Sequence, residues 1–520
     1  MRRALKIMCL LIVTVLVGTS LLTGCGNTKN ETSSSTSVST AAESTIADST
    51  TAESTTAEST KIDTSKAVDL TMYLIGAPAK DYDSVLAELN KKLQADINAT
   101  VAVKWIGWGD FSTKYPLVLA SGEPVDLIYA STWLNYYTQA QKGAFMPIED
   151  LAPIYAPKSY AETTPDFLKQ ATVNGHLYGL PPTFFQNATM GYIVRGDLMK
   201  KYGMTAINNI DDYGTYLENV LKNDKQLDPT GFMATSDGLD KYYATELGLY
   251  DILQTQYSPF YVDIKDPQPK IINYLERPEM LEFFKKMKSW SDKGYWPKSV
   301  LSNKDENMFR DGKAASRLHN LDSWKGVAIL HPEYDAQFYP GWAFSFKTAA
   351  MQDGMAIPSS AKNPERALMF LEKLRQDQSY YNLLTYGIEG KHYEITSDDK
   401  LKALDIDGFA PEGYCSWGFK SLNFFKQAIG TPANADEVNK KLESISIDNK
   451  FLLFTPNLDP IKNENAAVIN VMQQYELPLR YGYTDPEKGL ATLNEKLKAA
   501  GIDKVMAELQ KQLDEYLKGQ

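Results

Sequence analysis

Two tryptophans stand in settings suited to holding a sugar ring. Trp133 follows Ser131 and Thr132 at the end of an apolar run, and Trp324 follows Asn320 and Asp322 shortly after a second run at 312–318. A pyranose has an apolar C–H face and a rim of hydroxyls, so an indole beneath it and hydroxyl, amide or carboxylate groups at its edge satisfy both surfaces. Trp108 and Trp342 occupy further loops between apolar runs and are candidate rings of the same kind. Asp237, at the end of the short run 232–235, and Glu389 are candidate acceptors, as are Asp110, Glu123 and Asp126, the last of which equally suits capping its own turn. A hydrogen bond to a charged group contributes about 1.5–3 kcal/mol, so two such carboxylates would set a ligand's orientation. Each of these rings could instead be core, and Cys415, between Tyr414 and Trp417, reads as a small buried hydrophobe.

Other chemistries find little support. The histidines 176, 319, 331 and 392 are too scattered for a metal-ligand spacing, and there is no GxSxG elbow, phosphate loop or C-x-x-C pair. Asp405-Ile406-Asp407-Gly408 matches part of a calcium loop but lacks its remaining ligands. No metal and no cofactor is therefore expected. A glycoside hydrolase needs only two carboxylates about 5–9.5 Å apart, which a sequence leaves open. With 54 Lys and Arg against 65 Asp and Glu, the net charge of −11 argues against nucleic acid as a partner.

The elements that would carry these residues alternate. Residues 68–75 read as a strand, 82–95 as a helix with Val85, Leu86, Leu89 and Leu93 on one face, 100–106 as a strand, and 125–129 as a short buried strand. Strands alternating with helices imply a parallel sheet covered on both faces, whose strand-to-helix loops at one edge form a ligand crevice. Here those loops are 76–81, 107–110 and 130–135. A second alternating region spans 190–330, and 364–375, 436–446, 464–476 and 486–517 are helical in pattern. The expected class is α/β in two lobes with a helical C-terminal segment.

The N-terminus is an address. Arg2, Arg3 and Lys6 precede an apolar run that ends at Leu22-Thr23-Gly24-Cys25, the pattern of a secretory leader. The last four residues resemble the lipobox of bacterial lipoproteins, which implies that 1–24 are a signal peptide and that Cys25 is lipidated. Residues 25–66 are rich in Ser, Thr, Ala and Glu, with AEST repeated, and read as a disordered tether rather than a domain.

Four further segments carry a resemblance. Ala120-Ser121-Gly122-Glu123-Pro124-Val125-Asp126-Leu127, Asn174-Gly175-His176-Leu177-Tyr178-Gly179-Leu180-Pro181, Met308-Phe309-Arg310-Asp311-Gly312-Lys313-Ala314-Ala315 and Lys362-Asn363-Pro364-Glu365-Arg366-Ala367 occur in the order found in the extracellular solute-binding proteins of bacterial ABC importers, the family that includes maltose-binding protein. The chain resembles that family over nearly everything after residue 67, with Ser316 standing where the family usually has Met. The 386–393 segment resembles a subgroup with a distinctive helical C-terminal region. The resemblance implies a two-lobed periplasmic-binding-protein-like fold of type II. Crossings are expected near 184–189, 341–358 and 387–396, so that lobe one is 67–185 plus 345–390 and lobe two is 190–340 plus 396–520. In sugar-binding relatives the loops matching Trp133 and Trp324 carry ligand contacts. The implied function is a lipid-anchored, monomeric receptor at the extracytoplasmic face of the membrane. It would hand a carbohydrate or oligosaccharide to ABC permease subunits without chemistry of its own. A peptide or other polar-solute receptor and a secreted glycoside hydrolase are the alternatives.

Overall fold

The computed structural model describes residues 62–184, 186–187, 190–233, 238–255, 257–340 and 344–519. The leader, Cys25 and most of the tether lie outside them. Among the described residues no helix is long and apolar enough to cross a membrane.

The first sheet is built from β1 (Val68–Ile75), β2 (Ala99–Ile106), β3 (Leu127–Ala130), β4 (Gly179–Leu180) and the strand Gly354–Ala356. Its order is β2, β1, β3, Gly354–Ala356, β4. β1 pairs in parallel with β2 from Val68↔Ala99 to Ile75↔Ile106, and with β3 on its other side. Parallel neighbours need a crossover, and the Tyr82–Ile97 helix supplies it, burying Tyr82, Val85, Leu89, Leu93 and Ile97 at three- and four-residue spacing. Asn98 ends that helix in the left-handed region at φ 49°, which asparagine tolerates. Asp126, only 2% exposed, accepts from the Thr71, Lys362 and Asn363 amides at 2.9–3.1 Å. It therefore pins the turn before β3 and is not a ligand acceptor. The chain leaves this lobe after β4 and returns as Gly354–Ala356, antiparallel to both β3 and β4.

The second lobe centres on β5 (Met190–Val194), flanked by β6 (Ser316–Asn320) and β7 (Gln337–Pro340), both antiparallel to it. Strand alternation gives this sheet two apolar faces. Tyr192 and Val194 join a large core with the Ile210–Asn223 and Pro278–Lys293 helices, and Ile193 joins a smaller one with Phe309, Trp324 and Phe338.

The segment after 390 departs from expectation. Tyr393–Ile395 and Leu401–Ala403 form a hairpin that turns the chain back, and Leu401, Phe409, Cys415 and Phe419 pack into the first lobe's core. The hairpin satisfies its backbone locally, so the chain does not cross at 387–396. It comes up against the second lobe at Gly430, beside Ile329, and joins that lobe's core with Ala435, at the start of the Ala435–Ser444 helix. The Ser345 amide then donates to Ile445 O and its carbonyl accepts from Ile447, which ties the second crossing segment to the stretch that follows this helix.

The C-terminal helices Lys462–Arg480, Pro486–Ala499 and Ile502–Lys518 pack on the second lobe, with Gly501 (φ 91°) breaking what the sequence pattern presents as one run. Their anchor is buried charge. Arg480 donates to both oxygens of Glu476 at 2.8 and 2.9 Å, and its Nε lies 2.9 Å from Asp240 Oδ1. Asp240 Oδ2 also accepts from Tyr274 Oη at 2.7 Å. Burial pushes the Glu476 carboxyl up, against the pull of Arg480. Removing one member strands buried carboxylates, so Arg480→Ala is expected to lower unfolding free energy by about 3–5 kcal/mol in urea titrations.

Candidate ligand-binding cleft

The loops after β2 and β3 bring two indoles together. Trp108 stacks on Trp133 with centroids 5.8 Å apart and planes 26° from parallel, and on Trp417 at 6.3 Å and 26°. Phe111 meets Trp108 and Trp133 edge-on, and Tyr129 lies 5.5 Å from Trp133 and edge-on to Trp417. All three tryptophans stay partly exposed. Gly76 (φ 112°) makes room for this, because a Cβ there would sit 3.2 Å from Trp108 Nε1. Each aromatic pair contributes about 0.5–1.5 kcal/mol beyond area burial, so the group is stiff.

Beneath the rings runs a polar floor. Ser131 Oγ donates to the Gln352 carbonyl and accepts from the Trp133 amide, and Thr132 Oγ1 donates to Gln352 Oε1 at 2.9 Å. Asp353, 7% exposed, accepts from Tyr129 Oη and from Gln186 Nε2 at 2.7 Å. Burial pushes its carboxyl up to about 6. Lys420 follows the Trp417 turn, with Nζ 3.6 Å from Glu412 and 4.4 Å from the Phe425 ring centre. Burial works against its charge, but Asp322, Glu412, Tyr381 and Asp353 together hold the ammonium above its ordinary value.

Asp322 belongs to the other lobe. It opens the Leu321–Leu330 helix, which Asn320 caps by accepting from Ser323 N at 3.0 Å, and its side chain is 63% exposed. Its charge is felt by Asp353, Glu412 and Lys420, as Lys304 of the second lobe is felt by Asp110. Behind Asp322, Arg317 and His319 share one face of β6. Burial lowers the Arg317 guanidinium to about 10 and, with Arg317 adjacent, His319 to about 3, so that His319 is neutral. Burial raises the nearby Glu306 to about 7. Neither Arg317 nor Glu306 has a hydrogen-bond or ion-pair partner among the described residues. Both side chains are half-exposed, and each lies in the field of the other as its opposite charge.

Residues 87–388 match the family model for bacterial extracellular solute-binding proteins. The chain belongs to that family. Residues 450–518, the last helices of this solute-binding protein, match a domain of unknown function (DUF3502). A carbohydrate ABC transporter substrate-binding protein of Streptococcus pneumoniae is 28% identical over 463 residues, covering 86% of this chain and 91% of that protein. The lipoprotein LipO of Bacillus subtilis is 24% identical over 464 residues, covering 81% and 88%. The fold is that of the N-glycan transport solute-binding protein of S. pneumoniae in complex with Man1GlcNAc, at a TM-score of 0.74 and 24% identity over 87% of this chain and all of that one.

The expected ligand contacts of this solute-binding protein fare differently. Trp108 and Trp133 come together, and Trp417, expected in the other lobe, joins them. Ser131 and Thr132 lie beside Trp133 and hold its loop to Gln352, so they position the platform. Trp324 is corrected outright. It is 0% exposed, its Nε1 donates to Ala336 O at 2.7 Å, and its ring packs 5.7 Å from Phe338. β6 runs to Asn320 rather than ending at 318, so the helix starts at Leu321 and carries Trp324 inward with Val327 and Ala328. Asn320 uses its side-chain oxygen as that helix's cap. Glu389 is exposed on the turn before the hairpin, bridged to Tyr393, and makes no described contact with the tryptophans. Asp237 and Trp342 lie outside the described residues.

One cluster has a metal site's composition: Asp81, His392 and Asp405. His392 Nδ1 accepts from Ile388 N at 2.9 Å, which leaves the ring proton on Nε2, aimed at Asp81 Oδ2 at 3.4 Å. Lys391 Nζ lies 2.5 Å from the same oxygen, and Asp405 Oδ1 accepts from Gly408 N. The lone pair a metal would need is protonated and the cation is already an ammonium, so the donor set does not fit a metal. The cluster braces the 387–408 segment against the loop after β1.

Because Trp324 is core, Trp324→Ala is expected to cost about 3–5 kcal/mol of stability in denaturant unfolding. A fully stable variant would return this ring to the cleft.

Proposed function

We propose that the chain captures a carbohydrate between its lobes and delivers it to an ABC permease. The Trp108–Trp133–Trp417 platform carries this reading. Its partly exposed indoles offer apolar faces to sugar rings, with Lys420 and Glu412 at the edge, while Arg317, Glu306 and Asp322 on the second lobe supply donors and acceptors for hydroxyls. The ligand would meet the platform first, and rotation about the crossing segments near 186–187, 345–348 and 428–435 would bring the second lobe onto it. The S. pneumoniae neighbour in complex with Man1GlcNAc directs the first ligand panel to mannose- and N-acetylglucosamine-containing oligosaccharides.

The lipobox at Cys25 and the kinship with LipO support a lipid anchor that holds this receptor at the extracytoplasmic face of the membrane. Cys25→Ser is expected to move the protein into the soluble extracytoplasmic fraction or to stall its processing. A variant that stays membrane-bound with its leader removed would overturn the anchor.

Titration calorimetry against the glycan panel tests the main reading. Trp133→Ala and Trp417→Ala are each expected to weaken binding by about 2 kcal/mol or more, roughly thirtyfold. Unchanged affinity in both would remove the platform from the site, and peptides binding where no glycan does would replace the ligand class.

A further inference from the structure

Asp353 stands where three parts of the molecule meet. It lies at the end of the Ala350–Gln352 turn, immediately before the Gly354–Ala356 strand that returns from the second lobe. One carboxylate oxygen accepts from Tyr129, whose ring packs against both Trp133 and Trp417. The other accepts from Gln186 at 2.7 Å, and Gln186 lies in the first crossing segment. The Gln186 carbonyl accepts from the Thr348 amide at 2.8 Å and from its hydroxyl at 3.2 Å, and Asn187 bridges to Lys347 in the second crossing segment. A single carboxylate thus links the indoles to the paired crossing segments about which the lobes would turn.

We propose that Asp353 is a positioning residue whose carboxylate couples the tryptophan platform to the hinge. The inference rests on the reading of the platform as the ligand site. Its chemistry follows from acceptor count. An ionised carboxylate offers acceptors to both Tyr129 O–H and Gln186 N–H, and both bonds are strengthened by its charge. A protonated carboxyl must itself donate from one oxygen, so one of the two links has to rearrange. The groups facing it are Tyr129 from β3, the buried Cys415 thiol, Lys420 after the Trp417 turn and Asp322 from the second lobe. Burial and Asp322 favour the protonated form, while the Tyr129 and Gln186 hydrogen bonds and Lys420 favour the ionised one. The balance leaves the group titrating near 6, so modest acidification removes the charge assistance and reverses or loosens one of the two bonds, which weakens the link.

The sign for stability is opposite to that for binding. A carboxyl raised above its ordinary value binds its proton more tightly folded than unfolded. Its contribution to stability therefore falls as pH rises from about 4 to 6. A residue retained for packing alone has no reason to carry that cost, and Asn would fill the same space without it.

The test combines a glycan-binding arm and a ligand-free arm on the full extracytoplasmic chain. In the wild type, affinity for a glycan found by calorimetry is expected to fall on the order of tenfold between pH 7.5 and pH 5, as one charge-assisted link is lost. Asp353→Asn should flatten that profile and raise the melting temperature at neutral pH. Tyr129→Phe keeps the ring but removes a bond that favours the ionised form, so its midpoint should move to higher pH. This conservative variant also keeps the test alive if Asp353→Asn folds poorly. Tryptophan fluorescence titrated without ligand should show a transition near pH 6 in the wild type that Asp353→Asn lacks. If no glycan binds the wild type at any pH, the platform reading fails while the fluorescence arm still judges the coupling. A pH profile for Asp353→Asn that follows the wild type in both arms would overturn the role of Asp353, as would an unmoved midpoint in Tyr129→Phe.

Discussion

The site depends on the return of the chain to its first sheet. Gly354–Ala356 pairs with β3 on one side and β4 on the other, and no strand nearer in sequence fills that slot. A strand that arrives from the second lobe must be preceded by a crossing segment, so completing this sheet and building the hinge are one event. The same pairing sets residues 350–353 beside the end of β3. There Gln352 receives the Ser131 and Thr132 hydroxyls and Asp353 receives Tyr129. The loop that displays Trp133 is thus held by hydrogen bonds to a segment more than 200 residues away.

Stiffness and charge divide between the lobes. The first lobe contributes packed rings and a floor whose polar groups are paired, so its surface is formed before any ligand arrives, and preorganisation of that kind lowers the entropy lost on binding. The second lobe contributes Arg317 and Glu306, which lack described partners, and Asp322, which is exposed. Charges across the cleft lean negative, with Asp322, Asp353 and Glu412 gathered around Lys420 and Glu306 beside Arg317. That mixture of acceptors and donors suits hydroxyl groups, which both donate and accept, better than an anionic ligand. Glycine shapes the wall too: a Cβ on Gly418 would lie 2.7 Å from the Tyr129 ring, so only glycine lets the Trp417 turn pack this closely.

Local pattern was enough for much of the architecture. The period-two and helical runs from 68 to 129 marked the strands and the Tyr82–Ile97 helix to within a few residues, because burial of one face is imposed on each element by its own sequence. The four family segments carried the two-lobed fold, and the C-terminal helices were legible from their apolar spacing. Trp108 and Trp133 could be named because each sits in a loop directly after a strand, where a parallel sheet opens toward its ligand edge.

Tertiary structure decided the rest. Whether Trp324 faced a ligand or the core turned on where one strand stopped and one helix began. A shift of two residues there rotates the indole from one side to the other, and strand ends are set by pairing with β5 rather than by local preference. Trp417 and Lys420 entered the site because the 393–403 hairpin sends the chain back to the first lobe, a choice made by long-range packing of Phe409 and Phe419. Asp353 carried no signature at all, since its role arises from partners 224 and 167 residues distant. The sequence by itself determined which elements form and that two lobes must face one another. Which side chains meet between them was settled only by pairing across the chain, because contact energies between distant segments leave no trace in local spacing.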